Sequence, residues 1–239
     1  MNRQEFLKIS AATAMTLAGS AILGGCGPPA EKRDSEKKEN PVSENLVEDS
    51  SDRKTNQKED GMKILVLTGS PRPNGNSNTL AEHFIRGAKE AGHTVVRFDA
   101  ALRTVHPCDG CNTCGMNGPC VFQDDFAFVR QHIVDADLVA FATPMYYFGI
   151  SAQLKAVIDR FYSINGQIHV PKKAVLMMTY ADHSQRKESA IVTHYEVLLE
   201  YLGWTDVGQI LVPGVWPVGA VNHTKFPAMA YQLGKSLKF

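Results

Sequence analysis

The chain has 239 residues, 44% hydrophobic and 21% charged, and its 25 Lys and Arg balance its 25 Asp and Glu. That length and apolar content allow one globular domain with an appendage and exclude a wholly disordered chain. From Met62 onward 16 basic side chains face 14 acidic ones, with 9 and 11 before it, so neither part has the basic excess of a nucleic-acid surface.

Residues 1–26 read as a targeting segment. Arg3 and Lys8 give a positive start, diluted by Glu5, and Ile9–Leu23 is apolar but short and rich in Ala, Gly and Thr, a poor membrane span. It ends in Leu23-Gly24-Gly25-Cys26, which resembles the lipobox of bacterial lipoproteins. The resemblance implies cleavage before Cys26 and a lipid on its sulfur, so an exported, membrane-anchored protein. An ordinary signal peptide followed by an incidental cysteine is the alternative. Asn2–Lys8 also resembles a twin-arginine signal, which exports folded proteins, except that Gln4 stands in place of the second arginine. Residues 27–61 hold 17 charged side chains and no aromatic among 35, a composition that cannot offset its ordering entropy. A disordered charged linker is expected there.

Met62–Phe239 alternates strands and helices. Strands are expected at Lys63–Thr68, Thr94–Asp99, Leu138–Thr143, Ala174–Thr179 and Val207–Val212. Helices are expected at Asn78–Ala91, Asp125–Ala136, Ser151–Tyr162 with Ser151 as N-cap, Ser189–Leu202 and Phe226–Leu237. This alternation argues for a doubly wound, five-stranded parallel sheet with helices on both faces. Ligands of such sheets sit at the carboxyl ends of the strands, which singles out loops 69–79, 144–150 and 180–186. The first joins a buried strand to a helix through Gly, Ser and Asn, and its N–H groups, its hydroxyls and the helix N-terminus favour a phosphate. It lacks the Gly-Lys-Ser/Thr of a P-loop and the GxGxxG of a dinucleotide fold. Tyr146, Tyr147 and Phe148 offer flat faces for a ring, and Pro144 is expected to end its strand and turn the chain.

TGSPRPNGNSNTL, followed by TPMYYFGISAQLKAVIDR, resembles the flavodoxin-fold NAD(P)H-dependent FMN reductase family. The resemblance covers essentially all of residues 62–239 and implies the flavodoxin strand order 2-1-3-4-5. Carried over, the FMN phosphate falls to Ser70, Arg72, Asn76, Ser77, Asn78 and Thr79. The isoalloxazine falls to Pro144, Met145, Tyr146, Tyr147 and Phe148, and Thr179, Ala181 and Asp182 close the site. The resemblance also implies NAD(P)H as donor and a homodimer or homotetramer.

Cys108, Cys111, Cys114 and Cys120 share one stretch, CDGCNTCGMNGPC. This C-x2-C-x2-C-x5-C spacing resembles the iron–sulfur flavoprotein branch of the same family, which implies a [4Fe–4S] cluster exchanging single electrons with FMN. Zinc, disulfides and free thiols are the alternatives. His106 reads as a plain loop residue.

The reading is an FMN-dependent oxidoreductase passing electrons to a quinone or another small or protein redox partner, with the cysteine loop as relay. No catalytic side chain is named, because the flavin carries the chemistry. A membrane-tethered, non-enzymatic flavodoxin-like carrier is the alternative, against which the near-neutral charge weighs. A fold-keeping protein without flavin is the third reading. Export sits awkwardly with an oxygen-sensitive cluster and with NAD(P)H as donor, and leaves a membrane redox protein or a quinol as other reductants.

Overall fold

The computed structural model describes residues 61–238. The targeting segment, Cys26 and nearly all of the linker lie outside the described residues. Among those described, no helix is long and apolar enough to cross a membrane.

Five parallel strands form the sheet: β1 (Lys63–Thr68), β2 (Thr94–Asp99), β3 (Leu138–Tyr146), β5 (Lys173–Thr179) and β6 (Thr205–Val212). Their spatial order is β2-β1-β3-β5-β6, which is the expected 2-1-3-4-5 among the parallel strands. The two-residue β4 (Gly149–Ile150) turns back antiparallel on the end of β3. The helices are α1 (Asn76–Glu90), α2 (Phe126–Ile133), α3 (Ala152–Asp159), α4 (Asn165–Ile168), α5 (Gln185–Leu202) and α6 (Phe226–Ser236).

Period-two alternation splits the strands between two cores. Leu65, Leu67, Val139, Phe141, Leu176 and Met178 face one side with α2, α3 and α5. Ile64, Val66, Ala140, Ala142, Val175 and Met177 face the other with α1 and α6. Both faces are covered, which explains the unbroken apolar runs of the central strands. Helices α1 and α6 cross so closely that a Cβ on Gly87 would lie 2.0 Å from the Tyr231 carbonyl oxygen, and one on Gly234 2.2 Å from that of Phe84. Glycine on both helices permits this contact.

Three boundaries differ from expectation for physical reasons. β3 runs through Pro144 to Tyr146 because Pro144 sits where the pairing passes from β5 to β4, so its missing N–H interrupts little. Helix α5 starts at Gln185 rather than Ser189, and the Ser189 hydroxyl donates to the Arg186 carbonyl at 2.7 Å inside the helix. Ser151 does cap α3, accepting from the Leu154 N–H at 3.3 Å, but α3 stops at Asp159 and a 3-10 turn continues over Arg160–Ile164.

Candidate flavin and cysteine sites

The first loop folds on itself before α1 begins. Arg72 N–H donates to Ser70 Oγ at 3.3 Å, Gly75 N–H to the Arg72 carbonyl at 2.9 Å, and Asn78 Nδ2 to the Arg72 and Pro73 carbonyls at 2.9 and 3.1 Å. A Cβ on Gly75 would lie 2.4 Å from Ser70 Oγ, so a larger residue here would displace that hydroxyl. Gly75 is the N-cap, no side chain caps the helix, and no acidic residue sits in its first turn. Its first N–H groups and positive dipole end therefore remain open to an anion. In that turn Ser77 is 1% exposed, and its Oγ has no hydrogen-bond partner. A buried hydroxyl beside an uncapped helix end fits a phosphate.

The second loop is a hairpin. Tyr146 pairs with Gly149, and the two residues between them, Tyr147 and Phe148, have φ of 45° and 64°. Such tight hairpins favour Asn or Gly there, because L side chains are strained at positive φ. The turn holds aromatics instead, and Tyr147 is fully exposed, with Phe148 at 54%.

The third loop follows β5. The Tyr180 hydroxyl donates to Glu188, and burial, followed by that contact, pushes the phenol pKa up, so the O–H persists. Asp182 pairs with Lys187 and accepts from the Ser184 N–H, and these contacts hold its carboxyl below the usual range. Lys187 Nζ stands 5.9 Å from the Phe148 ring centroid, joining this loop to the hairpin.

A fourth loop, after β6, completes the wall. Val215 N–H donates to the Tyr180 carbonyl at 3.0 Å. The Asn76 side chain holds the loop by donating to the Pro217 carbonyl at 2.9 Å and accepting from the Val221 N–H at 3.2 Å.

Together these loops enclose a cleft of about 320 Å³ at the carboxyl ends of the strands. Of the expected residues, Ser70, Arg72, Asn76 and Ser77 line it from the first loop, Pro144, Met145, Tyr146 and Tyr147 from the second, and Thr179 and Ala181 from the third. Asn78, Thr79, Phe148 and Asp182 lie outside its lining and act as supports. Sequence reasoning missed Gly75, Tyr180, Val215, Trp216 and Val218. Trp216 is 72% exposed and offers a second aromatic face. Pro213–Pro217, a turn-rich stretch after a strand, carried the signal for that loop. A larger hollow of about 690 Å³ between α1 and β2 is lined by Glu82, Arg86, Lys89, Glu90 and Arg97 among others, away from the strand ends.

The cysteine loop leaves β2 and returns to α2. His106 N–H donates to Asp124 at 2.9 Å, Tyr162 to Asn112 at 2.8 Å, and Arg130 to the Gly118 carbonyl at 2.9 Å. His106 is thus a clasp residue, and its ring also stacks on Phe122 at 5.0 Å. Gly110, Asn112, Gly115 and Met116 take positive φ, coiling the backbone tightly. All four cysteines are free thiols and line one small hollow. Among the described residues, no three His, Cys, Asp or Glu side chains converge as a metal-ion site. Arg160 shares the hollow, is 1% exposed, and its Nε–H has no acceptor. Four cysteine thiols with a buried N–H beside them are a donor set that fits a sulfur-bridged cluster and equally a zinc ion.

The family model of NADPH-dependent FMN reductase matches residues 62–215. An iron–sulfur flavoprotein of Methanocaldococcus jannaschii is 35% identical over 99 residues, 41% of this chain and 51% of that protein. A Bacillus subtilis protein, named by inference an NAD(P)H-dependent FMN-containing oxidoreductase, is 28% identical over 65% of this chain and 87% of its own. The match spans about half the length of the iron–sulfur flavoprotein relatives. Among solved structures, an NAD(P)H:quinone oxidoreductase from Methanothermobacter marburgensis superimposes with a TM-score of 0.60 at 19% identity, over 73% of this chain and 96% of that one. An azoreductase from Bacillus anthracis gives 0.58 at 19% identity, over 74% and 100%. At these identities the structures establish the flavodoxin-like fold.

Proposed function

The chain belongs to the NADPH-dependent FMN reductase family, and from that premise we propose that it is an FMN-dependent oxidoreductase with its flavin in the strand-end cleft. The carrying observation is the buried, unpartnered Ser77 hydroxyl in the first turn of an uncapped helix, opening on that cleft. Ser70, Ser77 and the α1 N–H groups hold the phosphate, and Arg72 adds a planar cationic fork from the exposed side of the loop. Tyr146, Tyr147 and Trp216 supply flat faces to the ring, while Pro144, Met145, Thr179 and Ala181 wall it. Asn76, Asn78, Thr79, Phe148 and Asp182 keep these loops in place. FMN supplies a centre that accepts a hydride and can release electrons singly.

NAD(P)H is the donor that the family supports, and a quinone or another small acceptor is the outlet. Cys108, Cys111, Cys114 and Cys120 hold a [4Fe–4S] cluster as a relay to a redox partner. The shared hollow, Arg160 and the iron–sulfur flavoprotein relatives support this. On the same reading residues 62–239 form the flavin domain, assembled as a homodimer or homotetramer. Residues 27–61 tether it to the outer face of a membrane through lipid on Cys26.

The test is anaerobic mixing of the flavin-loaded full chain with NADH or NADPH, then with a benzoquinone, following the flavin absorption band. Bleaching by a nicotinamide and recovery with quinone support the reading. A bound flavin that neither nicotinamide bleaches contradicts it.

A further inference from the structure

Arg160 is the largest fully buried side chain among the described residues, and nothing in the flavin cleft uses it. It sits in the 3-10 turn after α3 and reaches into the cysteine loop. Nη1 donates to the His106 carbonyl at 3.0 Å and to Asp124 Oδ2 at 2.9 Å, and Nη2 to the Phe122 carbonyl at 3.2 Å. The rings of Phe122 and Phe126 flank the guanidinium, with centroids 5.3 and 4.9 Å away. His106 stands two residues before Cys108 and Phe122 two after Cys120, so one side chain shuts both ends of the cysteine segment. Asp124, whose side chain is 5% exposed, balances its charge.

The Nε–H is left without an acceptor, in a group that lines the same hollow as all four cysteines. Buried donors are almost always satisfied. Asp109, Asn112, Tyr162 and Ser163 also line the hollow, but Asp109 and Asn112 are exposed and all four already hold hydrogen bonds of their own. This leaves the cysteine sulfurs for the Arg160 Nε–H. We propose that Arg160 is the positioning residue of the cysteine centre: its Nη groups close the loop, and its Nε–H donates to a sulfur held there. This rests on the cluster reading above. A donor aimed at a cluster sulfur favours the more negative, reduced form and so raises the reduction potential.

The test uses the full chain, purified anaerobically, as wild type, as Arg160→Lys, and as the double variant Arg160→Gln with Asp124→Asn. The lysine keeps a cation beside Asp124 without the Nε–H, and the double variant leaves neither charge buried alone. Iron and acid-labile sulfide are measured per chain, with FMN content as the control for folding, and the cluster potential is read by EPR-monitored titration. Both variants are expected to keep FMN, iron and sulfide while reduction becomes about tenfold less favourable, a fall of about 59 mV for one electron. Full iron with an unchanged potential overturns the proposal and leaves the cluster reading standing. Loss of iron with FMN retained restricts Arg160 to the clasp and overturns its donor role. Wild type with FMN but neither iron nor sulfide overturns the cluster reading and this proposal together.

Discussion

Asn76 Oδ1 accepts a hydrogen bond from the Val221 backbone N–H at 3.2 Å, across 145 residues of sequence. With Nδ2 on the Pro217 carbonyl, this one amide ties the start of α1 to the loop carrying Trp216. Asn76→Ala leaves a buried N–H and a carbonyl without partners, at a cost of about 1–3 kcal/mol. At about 2–4 °C per kcal/mol for a domain of this size, a clear fall in Tm is expected by thermal melting, together with weaker FMN binding. An unchanged melt would show that the brace carries no stability.

Ser77 and Thr79 should behave differently. The Ser77 hydroxyl is buried and unpartnered, whereas Thr79 Oγ1 donates to the Gly75 carbonyl at 3.3 Å and lies outside the cleft lining. Ser77→Ala removes a hydrogen bond to a charged group worth about 1.5–3 kcal/mol, so FMN affinity falls roughly 10- to 150-fold. Stability without FMN is expected to hold or rise. Thr79→Ala is expected to change FMN affinity less than threefold. Fluorescence titration compares them, and equal losses would move the phosphate off Ser77.

Tyr147 trades stability for exposure of its ring. Its left-handed backbone costs on the order of 1–2 kcal/mol, and its full exposure returns little from burial. Tyr147→Gly is expected to leave Tm unchanged or raise it slightly, after glycine's own entropy cost of roughly 0.5–1 kcal/mol, while weakening FMN binding. A markedly lower Tm would mean that the ring packs where its exposure says it does not.

Asp124 sets an acid limit. Burial raises its pKa, but the N–H groups of His106 and Phe126 and the Arg160 guanidinium outweigh this and hold it below the usual carboxylate value. A depressed folded value gives stability that is complete above the unfolded pKa, about 3.9, and is lost as pH falls through the lower folded value. Asp124→Asn is therefore expected to be less stable at pH 7, with Arg160 unpaired, and to show a flatter acid limb below about pH 4. Chemical denaturation across that range measures it, and parallel curves for the two proteins would contradict the linkage.

That the sheet is parallel was legible because Ile64–Leu67 and Leu138–Ala142 are apolar runs buried on both faces, whereas the strand order came from the family resemblance. Ser70 and Ser77 were legible as residues of the strand-end cleft because a buried strand, a small-residue loop and a helix follow one another there. The Tyr147–Phe148 turn was not, since neither residue signals positive φ and only the pairing of Tyr146 with Gly149 forces it. Arg160 was not legible either. A basic side chain after an amphipathic stretch looks like solvent-facing charge until Asp124, His106 and Phe122, 36 to 54 positions earlier in sequence, surround it.

The most direct test of the flavin site compares FMN with riboflavin by fluorescence titration into the flavin-free full chain. The two ligands differ only in the phosphate assigned to Ser70, Ser77 and the start of α1. With two or more hydrogen bonds to that charged group, FMN should bind at least a hundredfold more tightly, about 2.8 kcal/mol. Equal affinity for riboflavin would contradict the phosphate cradle, and with it the position of the flavin in the cleft.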